Sequence, residues 1–199
     1  MTGLIILAAG ESSRLGQPKQ NLLYNGKTLL QHAIESGQGA DCQTIVVVLG
    51  ANADNIVSVP EVTTIYNKDW KEGMASSIRI GMLEISSKST IDKVIIMLCD
   101  QPFVTSTLLN DLINKQSTSG KSIVASTYNG TTGVPVLFDH SLFSELLSLR
   151  GKEGAKNILR NHVADIAEIP FEKGGIDIDT PEDYERLRRL SDLFIRRDR

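Results

Sequence analysis

A glycine-containing segment near the start of the chain has the composition of a phosphate-binding loop. Residues 7–19 read Leu-Ala-Ala-Gly-Glu-Ser-Ser-Arg-Leu-Gly-Gln-Pro-Lys and directly follow an apolar run. Glycine and small residues let backbone N–H groups approach an anion closely. Arg14 and Lys19 add a planar guanidinium and a flexible ammonium, which suit the oxygens of a triphosphate. The segment therefore predicts a binding site for a nucleoside triphosphate.

This segment lacks two other nucleotide-binding signatures. Gln17 follows Gly16, so the Gly-Lys-Ser/Thr ending of a P-loop is missing, and no GxGxxG pattern occurs in the segment. A P-loop ATPase and a Rossmann dinucleotide site are therefore not indicated. A second chemical feature is Asp100, which follows an apolar run at residues 94–98. A carboxylate presented at the end of a strand can hold a hard cation through its oxygens.

Short apolar runs, each bounded by Gly, Asp, Pro or Ser, are the elements that must position these residues. They lie at residues 4–8, 45–49, 94–98, 123–125 and 134–138. Such runs are typical of strands buried on both faces. Amphipathic helical patterns lie between them, for example after Thr28 and after Thr105 or Ser106. The alternation predicts a mostly parallel sheet with helices on both faces and a ligand crevice at the carboxyl ends of the strands.

The last third of the chain has a less regular pattern. Helices are expected near residues 141–149 and 155–162, and strands near residues 166–169 and 176–178. The sequence Thr-Pro-Glu-Asp at 180–183 supplies an N-cap, a proline and acidic residues, which predicts a closing helix. Residues 194–199 are expected to form a basic tail. Since no repeat or linker interrupts the chain, residues 1–199 are predicted to form a single domain.

Composition excludes several function classes. The formal net charge of -3 and a pI near 5.6 argue against a nucleic-acid partner, which usually needs a strongly basic face. No signal peptide and no apolar stretch long enough to span a membrane is found, so a cytoplasmic protein without a membrane partner is expected. Cys42 and Cys99 lack CxxC spacing, so they are expected to be buried apolar residues.

The segment at residues 7–19 resembles the LAAGxSxRxGxxK signature of the MobA-like NTP-transferase family, closest to its molybdenum cofactor cytidylyltransferases. Residues 67–78 are similar to the family's N..W..GM..S segment, and residues 99–102 are similar to its DQP loop. Residues 133–138 and 177–183 resemble its later motifs. The likeness extends over nearly the whole chain in the same order, which makes it specific even though each motif is short.

The resemblance implies a fold, a cofactor and a set of site residues. The fold is a three-layer Rossmann-like α/β sandwich of the nucleotide-diphospho-sugar transferase type, with a mostly parallel mixed sheet. The cofactor is Mg²⁺, and the catalytic residues are Arg14, Lys19 and Asp100. The nucleotide-binding residues are Leu7, Ala8, Ala9, Gly10, Ser12, Arg14, Lys19, Gly73 and Ser77.

Two carboxylates are implied as metal ligands, with different strength. Asp100 is the main ligand and Asp179 is the proposed second ligand. Asp179 could equally serve as a cap for the helix that follows it, and Asp177 is a rival for the second position. The sequence leaves that choice open.

The implied reaction is the transfer of CMP from CTP to the terminal phosphate of molybdopterin, with release of pyrophosphate. A molybdoenzyme is the implied client for the product. Val134 and Lys152 stand where family members often have His and Asp, which changes the charge on the acceptor side. Alternatives are therefore a cytidylyl- or uridylyltransferase acting on a phosphorylated alcohol or sugar, a molybdopterin guanylyltransferase, or a nucleotide-binding regulatory module.

The choice of base is predicted from Ala9. Guanylyltransferase relatives tend to read Leu-Ala-Gly-Gly where this chain reads Leu-Ala-Ala-Gly at residues 7–10. If this part of the loop lies against the base, the extra methyl group narrows the pocket and favours a pyrimidine over a purine. The sequence therefore predicts CTP over GTP.

Overall fold

A seven-stranded sheet forms the centre of the molecule. The computed structural model describes residues 1–56, 62–152 and 154–195. The strands are β1 (Thr2–Ala8), β2 (Leu23–Tyr24), β3 (Lys27–Thr28), β4 (Cys42–Leu49), β5 (Thr63–Tyr66), β6 (Lys93–Leu98), β7 (Ile123–Tyr128), β8 (Thr131–Asp139) and β9 (Ile166–Pro170). The helices are α1 (Leu29–Gln38), α2 (Met74–Ser86), α3 (Ser106–Ser119), α4 (Phe143–Ser148), α5 (Lys156–Asn161) and α6 (Pro181–Ile195).

The sheet is mixed and mostly parallel. Its strand order is β5-β4-β1-β6-β8-β7-β9, and β8 runs antiparallel to both of its neighbours, β6 and β7. The pairs β4–β5, β1–β4, β1–β6 and β7–β9 are parallel. A separate two-stranded hairpin is formed by β2 and β3. The predicted mostly parallel mixed sheet is confirmed.

Two apolar layers cover the two faces of the sheet. On one face, α2, α4 and α5 pack against inward-facing residues of the strands, including Ile5, Ile96 and Val136. On the other face, α1 and α3 pack against Leu4, Ile95 and their neighbours. The alternation of side chains along a buried strand supplies both layers, since successive residues point to opposite faces. The predicted three-layer sandwich is confirmed, and no described helix is long and apolar enough to cross a bilayer.

The helices begin where their capping residues predict. Thr28 and Gln31 form a reciprocal capping box at the start of α1, and the Thr105 hydroxyl accepts the Leu108 N–H at the start of α3. At α6, the Asp183 N–H donates to Thr180 Oγ1, and Asp183 Oδ2 accepts the Thr180 N–H at 2.9 Å. These caps satisfy backbone N–H groups that have no partner within the helix.

A third, smaller apolar cluster joins the start of the chain to its end. It contains Leu15, Leu22, Tyr24, Leu29, Ile178 and Leu187, and it connects the glycine-containing loop, the β2–β3 hairpin and α6. Tyr184 Oη also donates to the Leu23 carbonyl at 2.9 Å. The closing helix is therefore anchored beside the loop at residues 9–18.

Some sequence expectations differ from the structure. Residues 176–178 are not a strand, because the Ile178 N–H bonds to the Asp100 carbonyl and the Ile178 side chain is buried in the third cluster instead of a sheet. The edge strand β5 was not predicted, since its alternating Thr-Thr-Ile-Tyr sequence lacks a continuous apolar run. Cys99 is buried as expected, whereas Cys42 is only partly buried. Of the expected basic tail, residues 196–199 lie outside the described residues.

Candidate functional site

An open cleft of about 960 Å³ lies at the carboxyl ends of the central strands. Its floor includes Leu7 and Ala8 at the end of β1 and Leu98 at the end of β6. Residues of the β7–β8 hairpin and of the start of α2 also line it. In an open parallel sheet this edge is where ligands bind, because the strand-ending loops diverge there. The cleft is therefore the candidate site.

The glycine-containing loop is held open by side-chain contacts to its backbone. Ser12 has φ 57° and Gly16 has φ 68°, so the chain reverses within a few residues. Ser12 Oγ accepts the Lys19 N–H at 3.1 Å, which closes the loop on itself. Buried Gln20 donates from Nε2 to the Ala8 carbonyl at 2.6 Å. These contacts fix the loop at the end of β1 and aim Lys19 into the cleft.

Lys19 lies between two carboxylates. Its Nζ is 2.6 Å from Asp100 Oδ2 and 2.6 Å from Asp179 Oδ1. Asp179 Oδ2 also accepts a hydrogen bond from Arg14 at 2.8 Å. The side chains of Lys19 and Asp100 are 12% and 11% exposed, so water screens their attraction only weakly. Four residues from three distant parts of the sequence thus form one charged cluster.

The charges of this cluster shift the pKa values of its members. Burial opposes the charged form of Lys19, but Asp100 and Asp179 outweigh it and raise the pKa of Lys19. Burial raises the pKa of Asp100, and the nearby ammonium of Lys19 opposes that shift. Burial also acts against ionised Asp179, but hydrogen bonds from Lys19 and Arg14 hold the pKa of Asp179 below its usual value. Lys19 therefore remains a cation at neutral pH.

Asp179 reaches the cluster through two local structures. Ile178 is fully buried, and in this extended segment its neighbours Asp177 and Asp179 point the other way, toward the cleft. The Asp179 N–H donates to Asp183 Oδ2 at 3.3 Å, which ties it to the cap of α6. Only Asp179 of the two contacts Lys19, and that distinction favours it over Asp177 as the partner of Asp100.

The two carboxylates fit a hard divalent cation. Asp100 Oδ1 is buried and has no hydrogen-bond partner, so one ligand oxygen is unsatisfied by the protein. No group of three or more His, Cys, Asp or Glu residues in the described part of the chain is arranged to hold a metal by itself. Mg²⁺ is commonly bound by one or two carboxylates together with substrate phosphates and water. A site built from Asp100 and Asp179 has that composition.

The start of α2 forms the wall on the side of β5. Gly73 has φ 120°, and a Cβ there would lie 2.8 Å from the Lys152 Cα, so a side chain is excluded. Ser77 follows in the first turn of the helix and lines the cleft. Asn67 Nδ2 donates to Ser77 Oγ at 2.9 Å and to Ser76 Oγ at 2.8 Å. The buried Asn67 amide therefore holds both serine hydroxyls through hydrogen bonds.

Other residues of the cleft lining have a different chemistry. Tyr128 and Gly133 of the β7–β8 hairpin line it, and a Cβ on Gly133 would collide with the Tyr128 hydroxyl. Val134, at the position where the resemblance suggests His, also lines the cleft. Lys152, which lies beside Gly73 at the start of α2, and Lys156 contribute two exposed ammonium groups. These ammonium groups give the cleft positive charge in addition to that of Lys19.

The structure brings most of the residues named from the sequence to this one cleft. Those that line it are Leu7, Ala8, Ala9, Gly10, Lys19, Gly73, Ser77, Asp100 and Asp179. Ser12 and Arg14 do not line it: Ser12 closes the loop, and the side chain of Arg14 is 67% exposed and bonds to Asp179. The sequence reasoning missed Gln20 and did not single out Asn67. Gln20 follows Lys19 directly, but nothing in its local sequence indicates that its amide supports the loop.

Comparison with known proteins identifies relatives along almost the whole chain. Nicotine blue oxidoreductase of Paenarthrobacter nicotinovorans is 32% identical, and the match covers 92% of this chain and 94% of that protein. The molybdenum cofactor cytidylyltransferase of Escherichia coli is 25% identical, with 90% of this chain and 92% of that protein covered. The solved structure of Rv0371c from Mycobacterium tuberculosis superimposes with a TM-score of 0.82 at 27% identity, covering 94% of this chain and 96% of that one.

A family model gives the same result for the larger part of the chain. The model of the MobA-like NTP transferase domain matches residues 4–166, which include the glycine-containing loop, Asp100 and the start of α2. The match ends at the first residue of β9, so it covers the other six strands of the main sheet except the first two residues of β1. The fold, the cleft and the sequence agree, and the chain belongs to the MobA-like NTP transferase domain family.

Proposed function

We propose that this protein transfers CMP from CTP to the terminal phosphate of a small acceptor, with molybdopterin as the favoured acceptor, and releases pyrophosphate. The observation that carries this proposal is the position of Lys19 between Asp100 and Asp179, in a cleft bordered by the glycine-containing loop. A cation and two carboxylates at this place supply what a triphosphate and a divalent cation need.

The proposed reaction makes and breaks one phosphorus–oxygen bond. An oxygen of the acceptor phosphate attacks the α-phosphorus of CTP, and the bond from that phosphorus to the β-phosphate oxygen breaks in line. The acceptor phosphate is ionised near neutral pH, so the attack needs no general base. Catalysis then depends on positioning and on stabilising the charge of the leaving pyrophosphate.

Within this proposal, Asp100 and Asp179 would hold Mg²⁺. When bound, Mg²⁺ neutralises charge on the nonbridging phosphate oxygens and orients the triphosphate. Asp100 suits this role because its Oδ1 is buried without a partner, and Asp179 because it is ionised and partly exposed. Mg²⁺ matches their hard oxygen donors.

The chain's own residues have separate tasks in this reaction. Backbone N–H groups of the loop and the ammonium of Lys19 bind the triphosphate, because both are donors directed at an anion. Arg14 does not line the cleft, and its guanidinium donates a hydrogen bond to the Asp179 carboxylate. The start of α2, from Gly73 to Ser77, holds the nucleoside, and the exposed ammonium group of Lys156 attracts the anionic acceptor.

The named relatives support different parts of this proposal. The Escherichia coli relative carries the name of the proposed activity and matches nearly the whole chain at 25% identity. Val134 and Lys152 both line the cleft, and their residue types depart from the pattern that the resemblance gives. Because of these departures, a phosphorylated alcohol or sugar is the alternative acceptor. A cytoplasmic location and a molybdoenzyme client for the product belong to the proposal as well.

A second candidate function comes from one specific observation. The relative at 32% identity is named an oxidoreductase, and it matches the chain over 92% of its length. Reduction of a small aromatic molecule in the same cleft is therefore the competing proposal. Its assay follows the oxidation of a reduced nicotinamide nucleotide in the presence of a reducible dye.

The deciding experiment is a panel of nucleotides and acceptors read by pyrophosphate release. CTP, UTP, GTP and ATP are each combined with molybdopterin, several sugar phosphates or no acceptor, with Mg²⁺ present. Release with CTP and molybdopterin is the expected result. Release only with a sugar phosphate identifies the alternative acceptor, and no release in any combination contradicts the proposed transferase. Oxidation of a nicotinamide nucleotide without pyrophosphate release would support the second candidate.

A further inference from the structure

The carboxylate oxygens that suit a divalent cation are engaged by two cations of the protein itself. Asp100 Oδ2 and Asp179 Oδ1 each lie 2.6 Å from Lys19 Nζ, and Asp179 Oδ2 lies 2.8 Å from the Arg14 guanidinium. Of these four carboxylate oxygens, Asp100 Oδ1 alone has no hydrogen-bond partner among the described residues. A metal ion that takes both carboxylates as ligands must therefore compete with Lys19 and Arg14 for the same oxygen atoms.

The unpartnered oxygen of Asp100 is a weak metal site on its own. Oδ1 is buried and offers a single protein ligand. Since it belongs to the carboxylate that bonds Lys19, a divalent cation there lies close to an ammonium that is also largely buried. Like charges repel strongly where water screens them weakly. A free divalent cation therefore gains little from this oxygen while Lys19 keeps its place.

The Lys19 ammonium can leave the carboxylates without a movement of the loop. The backbone N–H of Lys19 donates to Ser12 Oγ at 3.1 Å, which fixes the main chain, whereas the ammonium is carried by a flexible four-carbon stem. A triphosphate on the loop offers several anionic oxygens to Lys19 and Arg14. Rotation of the two side chains then transfers both cations from the carboxylates to the phosphates. The carboxylate oxygens become available to a divalent cation that the triphosphate also binds.

We propose that Lys19 and Arg14 make the carboxylate pair selective for a divalent cation that arrives with a triphosphate, and close the pair to the free cation. A protein cation and a metal ion exclude each other at the same oxygens, so a ligand that withdraws Lys19 favours the metal. The coupling is reciprocal, because the metal must then strengthen triphosphate binding by the same factor. This inference rests on the proposed function, since it concerns the metal and the nucleotide of the same site.

The first test measures the binding of Mn²⁺ to the protein without any nucleotide. Mn²⁺ takes hard oxygen ligands as Mg²⁺ does, and its electron paramagnetic resonance signal reports the free ion. Lys19→Met keeps most of the length of the side chain but removes its charge, so the affinity for Mn²⁺ should rise by about 10-fold or more. Arg14→Met frees one oxygen of Asp179 and should raise the affinity by a smaller factor, because the Arg14 side chain is mostly exposed to water.

Two controls separate the loss of these contacts from a general loss of positive charge. Lys156→Met removes a cation that lines the same cleft but belongs to none of the ion pairs of the cluster. It should leave the Mn²⁺ affinity within about twofold of the wild-type value, because exposed charges are screened. Adding Asp179→Asn to Lys19→Met should abolish the gain, because the second carboxylate is lost. Circular dichroism and melting temperature establish that each variant is folded.

The second test uses tripolyphosphate in metal-free buffer and is independent of how well Lys19→Met folds. In the wild type, this ligand draws Lys19 away and leaves two carboxylates without their cation. Asp179→Asn removes one of those negative charges, so it should bind metal-free tripolyphosphate more tightly than the wild type, by about threefold or more. The same variant should bind CTP with Mg²⁺ more weakly. Damage to the fold alone would weaken both.

Other results would overturn the inference. An unchanged Mn²⁺ affinity in Lys19→Met would do so, as would an equal gain in Lys156→Met. Weaker binding of metal-free tripolyphosphate by Asp179→Asn also contradicts it. In each of these cases, pyrophosphate release from CTP can still support the proposed function. If both affinities change as expected but no combination of nucleotide and acceptor releases pyrophosphate, the proposed function fails and the inference stands.

Discussion

The backbone N–H of Ile178 donates a hydrogen bond to the carbonyl oxygen of Asp100, with 3.2 Å between the two atoms. This bond fastens the segment before α6 to the loop after β6. The Asp100 and Asp179 side chains then converge on Lys19 from two different segments. The geometry of the charged cluster therefore depends on backbone contacts as well as on the attraction between its charges.

The first prediction concerns the two carboxylates. Asp100→Asn keeps the shape of the side chain but removes its charge, so turnover at limiting Mg²⁺ should fall on the order of 10² or more. Asp177→Asn serves as the comparison, because Asp177 lines the same cleft without contacting Lys19. Asp177→Asn should reduce turnover much less than Asp100→Asn does. Pyrophosphate release across a Mg²⁺ series makes the measurement, and equal losses in the two variants would contradict the assignment of Asp100.

The two cations of the loop should differ in their contributions. Lys19→Ala removes the buried cation from the cleft and should lower kcat on the order of 10², the scale for a lost transition-state charge contact. The side chain of Arg14 is 67% exposed, and its ion pair within the described residues is with Asp179, so Arg14→Ala should have an effect of about 10-fold or less. Steady-state kinetics of both variants test this. A rise in KM alone for Lys19→Ala would mean that Lys19 only holds the substrate.

A third prediction concerns base size at Ala9. Ala9 lines the cleft and is 8% exposed, so its methyl group lies at the boundary between the core and the ligand space. Ala9→Gly should reduce the preference for CTP over GTP by about 1–3 kcal/mol without inverting it, as expected for one methyl group in a pocket. The ratio of kcat/KM values for the two nucleotides decides it. A wild-type preference for GTP would be incompatible with this role of Ala9.

The acceptor side provides a fourth prediction. Lys156→Ala should raise KM for the phosphorylated acceptor while leaving KM for CTP unchanged, because Lys156 lines the cleft from α5 and is proposed to attract the acceptor. A loss of about 10-fold is expected at low salt, and less at high salt because of screening. Lys115→Ala, on the exposed surface of α3, is the control for net charge. Equal effects of both variants would point to a general electrostatic effect.

A fifth prediction concerns pH and stability. Hydrogen bonds from Arg79 at 2.6 Å lower the pKa of Glu72 from its ordinary value of 4.5 to about 2. Since the folded-state pKa is depressed, the stabilising contribution of Glu72 is present above about pH 4.5 and is lost as the pH falls toward 2. Glu72→Gln should therefore be less stable than the wild type at pH 7, with a smaller difference at pH 3.

Urea unfolding at the two pH values measures this difference. Glu84→Gln is the control, since the Glu84 side chain is about as exposed as that of Glu72 but its ion pair with Lys88 is a single contact at 3.6 Å. It should show little change at either pH, because a single long ion pair near the surface contributes little to stability. Equal losses of stability in the Glu72 and Glu84 variants at pH 7 would contradict the prediction that the bidentate contact between Glu72 and Arg79 stabilises the folded protein.

The parts of the site that follow directly from a strand were predictable from the sequence. The glycine-containing loop and Asp100 both come after continuous apolar runs, so local pattern and fold topology place them at the same edge of the sheet. Asp179 could be named but not separated from Asp177, because the choice depends on which carboxylate reaches Lys19 from another part of the chain. The local sequence around Asp177 and Asp179 does not reveal which of them lies close to Lys19 in the fold.

Other features depend on contacts between distant residues and were not predictable. Gln20 supports the loop by donating to the Ala8 carbonyl, and Asn67 orients two serines on the next helix. A polar amide has the same appearance in a sequence whether it is exposed or buried with its partners. The stretch at 176–178 shows the reverse case, since Ile178 is apolar and buried but belongs to a small cluster beside α6 and not to the sheet. Apolar periodicity indicates burial, but not the partner that provides it.

The position of Asp179 has a consequence for synthesis of the protein on the ribosome. Lys19 and Asp100 are both synthesised well before Asp179, although Lys19 contacts Asp179 in the folded protein. Asp179 directly precedes α6, and its N–H donates to Asp183 in the first turn of that helix. A nascent chain that ends at Ile178 would already contain every strand of the sheet, but it would lack Asp179. Because domains are synthesised from the N-terminus, the nucleotide loop emerges long before the cluster is complete. The contact between Lys19 and Asp179 can thus form only after β9, the last strand of the sheet, has been synthesised.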